Sequence, residues 1–180
     1  MRRILVAILL LATLSACGFH LRGPQALPFA TIYLEMNQYS DLAAAIKRQI
    51  ATSGSTKVVS KIEDAQVRMV VVRDTKEKHI LSLSSTGTVR EYELRQRFAF
   101  RVLDKQGKEV TPLNEIFIFR TVSFATGQEL AKEQEEALLY RDMEGDLVQQ
   151  LLRRLASTKQ AAEPAAATSA PAAPKPAAQQ

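Results

Sequence analysis

Tryptophan is absent from the 180 residues, cysteine occurs once and histidine twice. Two histidines, His20 and His79, in no His-His or Cys-His spacing do not supply the ligand sets that metal sites use, which argues against a metalloenzyme. The seven glycines do not cluster, so no loop is available to cradle a phosphate. No serine sits in a Gly-x-Ser-x-Gly elbow, and neither histidine has an acidic partner recognisable in sequence. His79 therefore reads as a histidine on a solvated loop. No catalytic constellation is legible, no cofactor is implied, and the chain reads as a binding protein rather than an enzyme.

Low complexity marks the end of the chain. Residues 156–180 hold eleven Ala and four of the seven Pro, a composition that builds no core, and are expected to be a disordered tail. With residues 1–16 and that tail set aside, 20 basic and 18 acidic side chains remain. Only +2 of the overall charge of +5 thus belongs to that middle segment, which gives no reason to expect nucleic acid. All eleven aromatics fall between residues 17 and 155, the length of one ordinary domain.

The front of the chain indicates the compartment. Arg2 and Arg3 precede an apolar run from Ile4 to Ala12, followed by Leu14-Ser15-Ala16 and then Cys17. The run is too short for a permanent membrane span and has the three-part layout of a signal peptide, residues 1–16. Ending on Cys17, it matches the lipobox at which bacterial lipoproteins are acylated on sulfur; an ordinary secretory signal with an incidental cysteine is the alternative. Acylation consumes a thiol that would otherwise be a stray partner for oxidation in an exported chain. Several acyl chains, at about 0.8 kcal/mol per buried methylene, hold far better than one. Gly18, rather than Asp, follows the cysteine, which resembles the outer-membrane destination, lipid-anchored on the periplasmic side.

Within 17–155, alternation at 31–36 predicts a strand with Ile32, Leu34 and Met36 on one face. Ser40 or Asp41 caps a helix in which Leu42, Ile46 and Ile50 repeat, and Gly54 stops it. A β-branched run at 66–73, extended through a polar stretch to 80–83, predicts one long or interrupted strand. Ser84–Thr88 is a turn. Residues 89–103 alternate most cleanly: Tyr92, Leu94, Phe98, Phe100 and Val102 on one face, Glu91, Glu93, Arg95, Arg97 and Arg101 on the other. After the turn at Asp104–Gly107, residues 116–124 form a strand apolar on both faces. A long helix then runs from Thr126-Gly127 to about Leu155, its stripe passing through Leu130, Ala137, Leu138, Val148, Leu151, Leu152 and Leu155, with Gly145 expected at a close approach to the sheet. The fold class is α/β in the α+β sense: a two-layer sandwich of about four strands, mixed but mostly antiparallel, with two helices on one face.

Charge placement supplies the candidate site. The polar face of 89–103, read with Arg90, is either a set of cross-strand ion pairs or a surface for a partner or anionic lipid, since guanidinium grips phosphate through a bidentate fork. Arg120 interrupts an apolar strand, so it either pairs with a buried acid or faces a partner or phosphate. Lys132, near the start of the last helix, gains nothing from the helix dipole there and is either an ordinary surface lysine or a ligand contact.

Cys17-Gly18-Phe19-His20-Leu21-Arg22-Gly23 directly after a lipobox resembles the mature start of the LPS-assembly lipoprotein LptE family. Phe119-Arg120 ending a strand, Leu130-Ala131-Lys132-Glu133 opening the last helix and the βαβββα order add to the resemblance, which covers about residues 1–155. It implies a non-enzymatic component of the lipopolysaccharide transport machine of the outer membrane, one that plugs the barrel of LptD, helps assemble it in a one-to-one complex and binds lipopolysaccharide. It also implies Lys132 as an LPS-binding residue. Ser84 and Ser85 stand where the family has a basic residue, with Arg90 the substitute and Arg120 a further candidate. An accessory lipoprotein of another envelope complex, an anchored enzyme and a peptidoglycan tether acting through the tail are the competing readings.

Overall fold

A computed structural model of the chain describes residues 26–123 and 129–158. The signal segment, Cys17, the start expected at Thr126-Gly127 and the tail beyond residue 158 lie outside the described residues.

The order is β1 (Thr31–Glu35), α1 (Asp41–Ser53), β2 (Lys57–Val58), a short 3-10 turn (Ile62–Asp64), β3 (Val67–Leu83), β4 (Val89–Asp104), β5 (Glu109–Ser123) and α2 (Glu129–Ala156). The five strands form one sheet in the order β2-β1-β3-β4-β5. β1 runs parallel to β2 and β3, while β3, β4 and β5 are mutually antiparallel. The expectation of about four strands is therefore one short. The extra strand is β2, whose two residues are too few to carry a period in sequence.

Local chemistry accounts for the elements. Ser40 has extended backbone and its Oγ accepts from the Ala43 N–H at 3.1 Å, satisfying a donor that the first helical turn of α1 leaves free. Gly54 closes α1 in the left-handed region at φ 70°, where a side chain would be strained. Leu42, Ile46 and Ile50 are buried as their spacing predicts. β5 begins at Glu109, seven residues earlier than expected, because Thr111, Pro112 and Asn114 hide the apolar pattern. Proline is tolerated there since β5 is an edge strand.

Both helices pack on one sheet face around one core. Ile32 and Leu34 of β1, Met69 of β3, Phe98 and Phe100 of β4, Ile116 of β5 and Leu147, Leu151 and Leu155 of α2 meet there. Only the first residues of β3 belong to this core, and the strand then continues as an extension about 50 Å long in all. One end of the domain holds the start of β1, the β4–β5 turn and the end of α2, where Thr111 and Thr158 share a buried hydroxyl contact of 2.9 Å. The other end holds the β3–β4 turn and the start of α2.

Two expectations for α2 are corrected. In its first half the expected stripe is displaced: Leu130 and Leu138 are 71% and 57% exposed and Leu139 and Met143 face the core instead, while Val148, Leu151, Leu152 and Leu155 are buried as expected. Nor does Gly145 mark a close approach: a Cβ placed on it meets nothing within 4 Å.

Candidate functional site

The three long strands have two unlike faces. On the face away from the helices, register aligns Thr75, Arg97 and Phe117 across the sheet, then Glu77, Arg95 and Phe119, then His79, Glu93 and Thr121. Its charges are largely consumed in pairs. Arg73 and Arg97 both reach Glu115, at 3.4 and 3.5 Å, Arg95 pairs with Glu93, and Arg101 lies 3.5 Å from Glu109. The ion-pair alternative thus holds for this column. His79 sits in β3 rather than on a loop, and its Nε2 lies 2.9 Å from Glu77. That hydrogen bond lowers the pKa of Glu77. Phe117 and Phe119 stack with centroids 5.9 Å apart, and the Arg97 guanidinium lies 4.6 Å from the Phe117 centroid.

Towards the helices, the rows are Lys76, Gln96 and Ile118, then Lys78, Leu94 and Arg120, then Ile80, Tyr92 and Val122. The first half of α2 lies over them. Glu144 pairs with Lys76, Glu136 with Lys78 and Asp146 with Arg120, while the Tyr140 hydroxyl donates to the Glu77 carbonyl at 3.2 Å. Burial raises the pKa of Tyr140, with Glu136 adding to it, and burial likewise raises Asp74, opposed by Lys76. Gln96 is fully buried beside Asp74, and hydrogen bonding by its side chain also opposes the rise in the Asp74 pKa.

Of the three described candidates, two share the distal end. Arg90 is exposed beside the β3–β4 turn, at the bulge where β4 slips register against β3, and makes no ion pair among the described residues. Lys132 lies one helical turn before Glu136, towards the same end, with its side chain mostly covered and its Nζ 2.6 Å from Glu135. Ile80, Leu81, Leu83, Leu130 and Leu138 are all exposed at this end. Arg120 stands one row inward, in the row of Lys78 and Leu94, and pairs with Asp146, fourteen residues along α2 from Lys132. The acid it pairs with is exposed rather than buried, and it also donates to the Phe119 carbonyl at 3.0 Å.

Lys76, Lys78 and Gln96 were not singled out from sequence. Gln96 could have been, since it occupies the parity of Leu94 and Phe98; the two lysines carry no signal without knowledge of the acids that α2 brings to them. Among the described residues no group of His, Cys, Asp or Glu is arranged to hold a metal, and no helix is long and apolar enough to cross a membrane.

The described residues form an elongated two-layer α+β domain with an amphiphilic end. Residues 29–155 match the LptE family, described as lipopolysaccharide-assembly, and the chain belongs to that family. It is 31% identical over 163 residues to the LPS-assembly lipoprotein LptE of Yersinia enterocolitica, covering 85% of this chain and 75% of that one. It is 29% identical over 159 residues to the LPS-assembly lipoprotein LptE of Pectobacterium atrosepticum, covering 85% of each. Among solved structures, lipoprotein B of Nitrosomonas europaea aligns with a TM-score of 0.66 at 41% identity, over 77% of this chain and 90% of that one. Rare lipoprotein B of Shewanella oneidensis aligns with a TM-score of 0.62 at 29% identity, over 71% and 95%. Membership supports a role in lipopolysaccharide assembly.

Proposed function

We propose that this chain is an outer-membrane lipoprotein, acylated on Cys17 and facing the periplasm, that binds lipopolysaccharide and plugs an LptD-type β-barrel in a one-to-one complex while helping to assemble it. It acts by binding, without enzymatic chemistry. The observation that carries this reading is the distal end, where exposed Ile80, Leu81, Leu83, Leu130 and Leu138 accompany Arg90 and Lys132. Such an end suits an anionic lipid: cations engage phosphate by charge-assisted hydrogen bonds, and apolar side chains cover acyl chains. The opposite end is the one through which the chain enters the domain, about 50 Å away, so an anchor on Cys17 leaves the distal end free to reach into a partner. The mixed, internally neutralised face of β3–β5 is compatible with the wet, polar lumen of a large barrel.

The test is recovery of the tagged, lipidated protein from detergent-solubilised outer membranes, followed by a high-salt wash and mass spectrometry. A large β-barrel in near-equal amount is expected. Its absence, from membranes that contain it, would favour an accessory role in another envelope complex. In parallel, Arg90→Glu with Lys132→Glu is expected to weaken binding of purified lipopolysaccharide; unchanged binding would remove both residues from the site.

A further inference from the structure

The first half of α2 meets the sheet through an apolar ridge with matched charges beside it. On the sheet, Leu94, Ile118 and Val122 form a buried apolar patch, with Lys76 and Lys78 on the β3 side and Arg120 between Ile118 and Val122 on β5. On the helix, the ridge of Leu139 and Met143 covers the patch, with Glu136 and Glu144 on one flank and Asp146 on the other. Each sheet cation is matched by one helix carboxylate. The helix thus presents a narrow apolar body with anionic groups on its rims, which is the chemistry of an anionic amphiphile.

We propose that this patch is a binding groove for the acyl portion of an anionic lipid, occupied in the closed state by residues 129–144 of α2 as an internal competitor. The proposal extends the lipid-binding reading above and rests on it. Two further observations support it. Residues 129–144 are held by two partly exposed ion pairs, Lys76–Glu144 and Lys78–Glu136, and by buried Met143, whereas residues 147–155 are locked into the core by Leu147, Leu151, Leu152 and Leu155. Gly145 stands at the boundary between these halves with no packing reason for a glycine, where it gives the helix a place to bend. The patch runs out towards exposed Ile80 and Leu130, so a lipid whose head group is held at the distal end has a continuous path inward.

The experiment uses the mature lipidated chain carrying Lys78→Cys and Glu136→Cys, joined by a short bis-methanethiosulfonate bridge that reductant removes, with purified lipopolysaccharide as the probe. Bridging is expected to weaken binding about tenfold or more, because it removes the open population, with recovery on reduction. A second variant, Glu136→Gln with Glu144→Gln and Asp146→Asn, frees the three cations and is expected to bind more tightly than the parent, at unchanged helix content by circular dichroism. Equal binding in the bridged and reduced forms, with the second variant no tighter than the parent, would overturn the groove and leave the distal-end reading in place. Failure of the parent itself to bind would overturn both.

Discussion

Gly145→Ala is expected to stabilise the protein. The residue lies inside the 28-residue α2, its backbone is not in the left-handed region, and a Cβ there meets open space. Nothing opposes the gain in helix propensity, about 1 kcal/mol for alanine over glycine in a helix interior. Part of that gain arises in the unfolded chain, which loses conformational freedom when the glycine is replaced. For a domain of this size the corresponding rise in Tm is about 3 to 5 °C. The assay is thermal unfolding of the detergent-solubilised chain followed by far-ultraviolet circular dichroism. Gly54→Ala serves as the opposite control. Its surroundings are equally empty, but φ is +70°, so the left-handed conformation costs a side chain about 1 kcal/mol and Tm should fall. A fall for Gly145→Ala of the same size as for Gly54→Ala would refute the placement of Gly145 on an open helical surface.

Three further outcomes follow from contacts described above. Phe98→Ala should remove about 3 to 5 kcal/mol, since the ring is fully buried at the centre of the core, and urea denaturation would show it as a lower midpoint. Arg120→Ala should change stability by under about 1 kcal/mol, because its pair with Asp146 is solvent-exposed, yet it uncovers the Phe119 carbonyl on edge strand β5; light scattering on heating should therefore rise earlier than for the parent. Asp74 has its pKa raised by burial, so its charged form opposes folding, and that cost appears as pH rises through its folded-state pKa. Asp74→Asn should accordingly raise Tm at pH 7 and give no such gain below pH 3.8, the ordinary value for the group, where parent and variant are both uncharged.

Much of the architecture was legible because single-residue periods are local. Ser40, the four-residue repeat of Leu42, Ile46 and Ile50, and Gly54 define α1 without any tertiary information. The alternation from Tyr92 to Val102 likewise places β4 and its two faces. The first half of α2 was misread for a physical reason. Leu130, Ala137 and Leu138 satisfy helical spacing as well as Leu139, Met143 and Leu147 do, and only the position of the sheet decides which ridge is covered. The cations of the groove were invisible for a related reason. Lys76 and Lys78 meet acids 68 and 58 residues away, a separation that no local pattern encodes. Arg90 and Lys132 were legible as isolated charges, whereas their shared end of the domain is a property of the β3–β4 pairing and of how α2 lies along it.

The described chain enters near the start of β1 and leaves at Thr158, both at the same end of the sheet. β1 and β5 are three strand spacings apart, about 15 Å, a gap that a linker of about five residues spans. A circular permutant closed there and opened between Gly87 and Thr88 keeps every strand pairing while carrying its new termini to the opposite pole. An acylated cysteine fused to that new start would reverse the domain with respect to the bilayer. The direction in which a domain of this fold points from a bilayer to which it is anchored is therefore a property of connectivity alone and can be inverted without altering a single residue of its core.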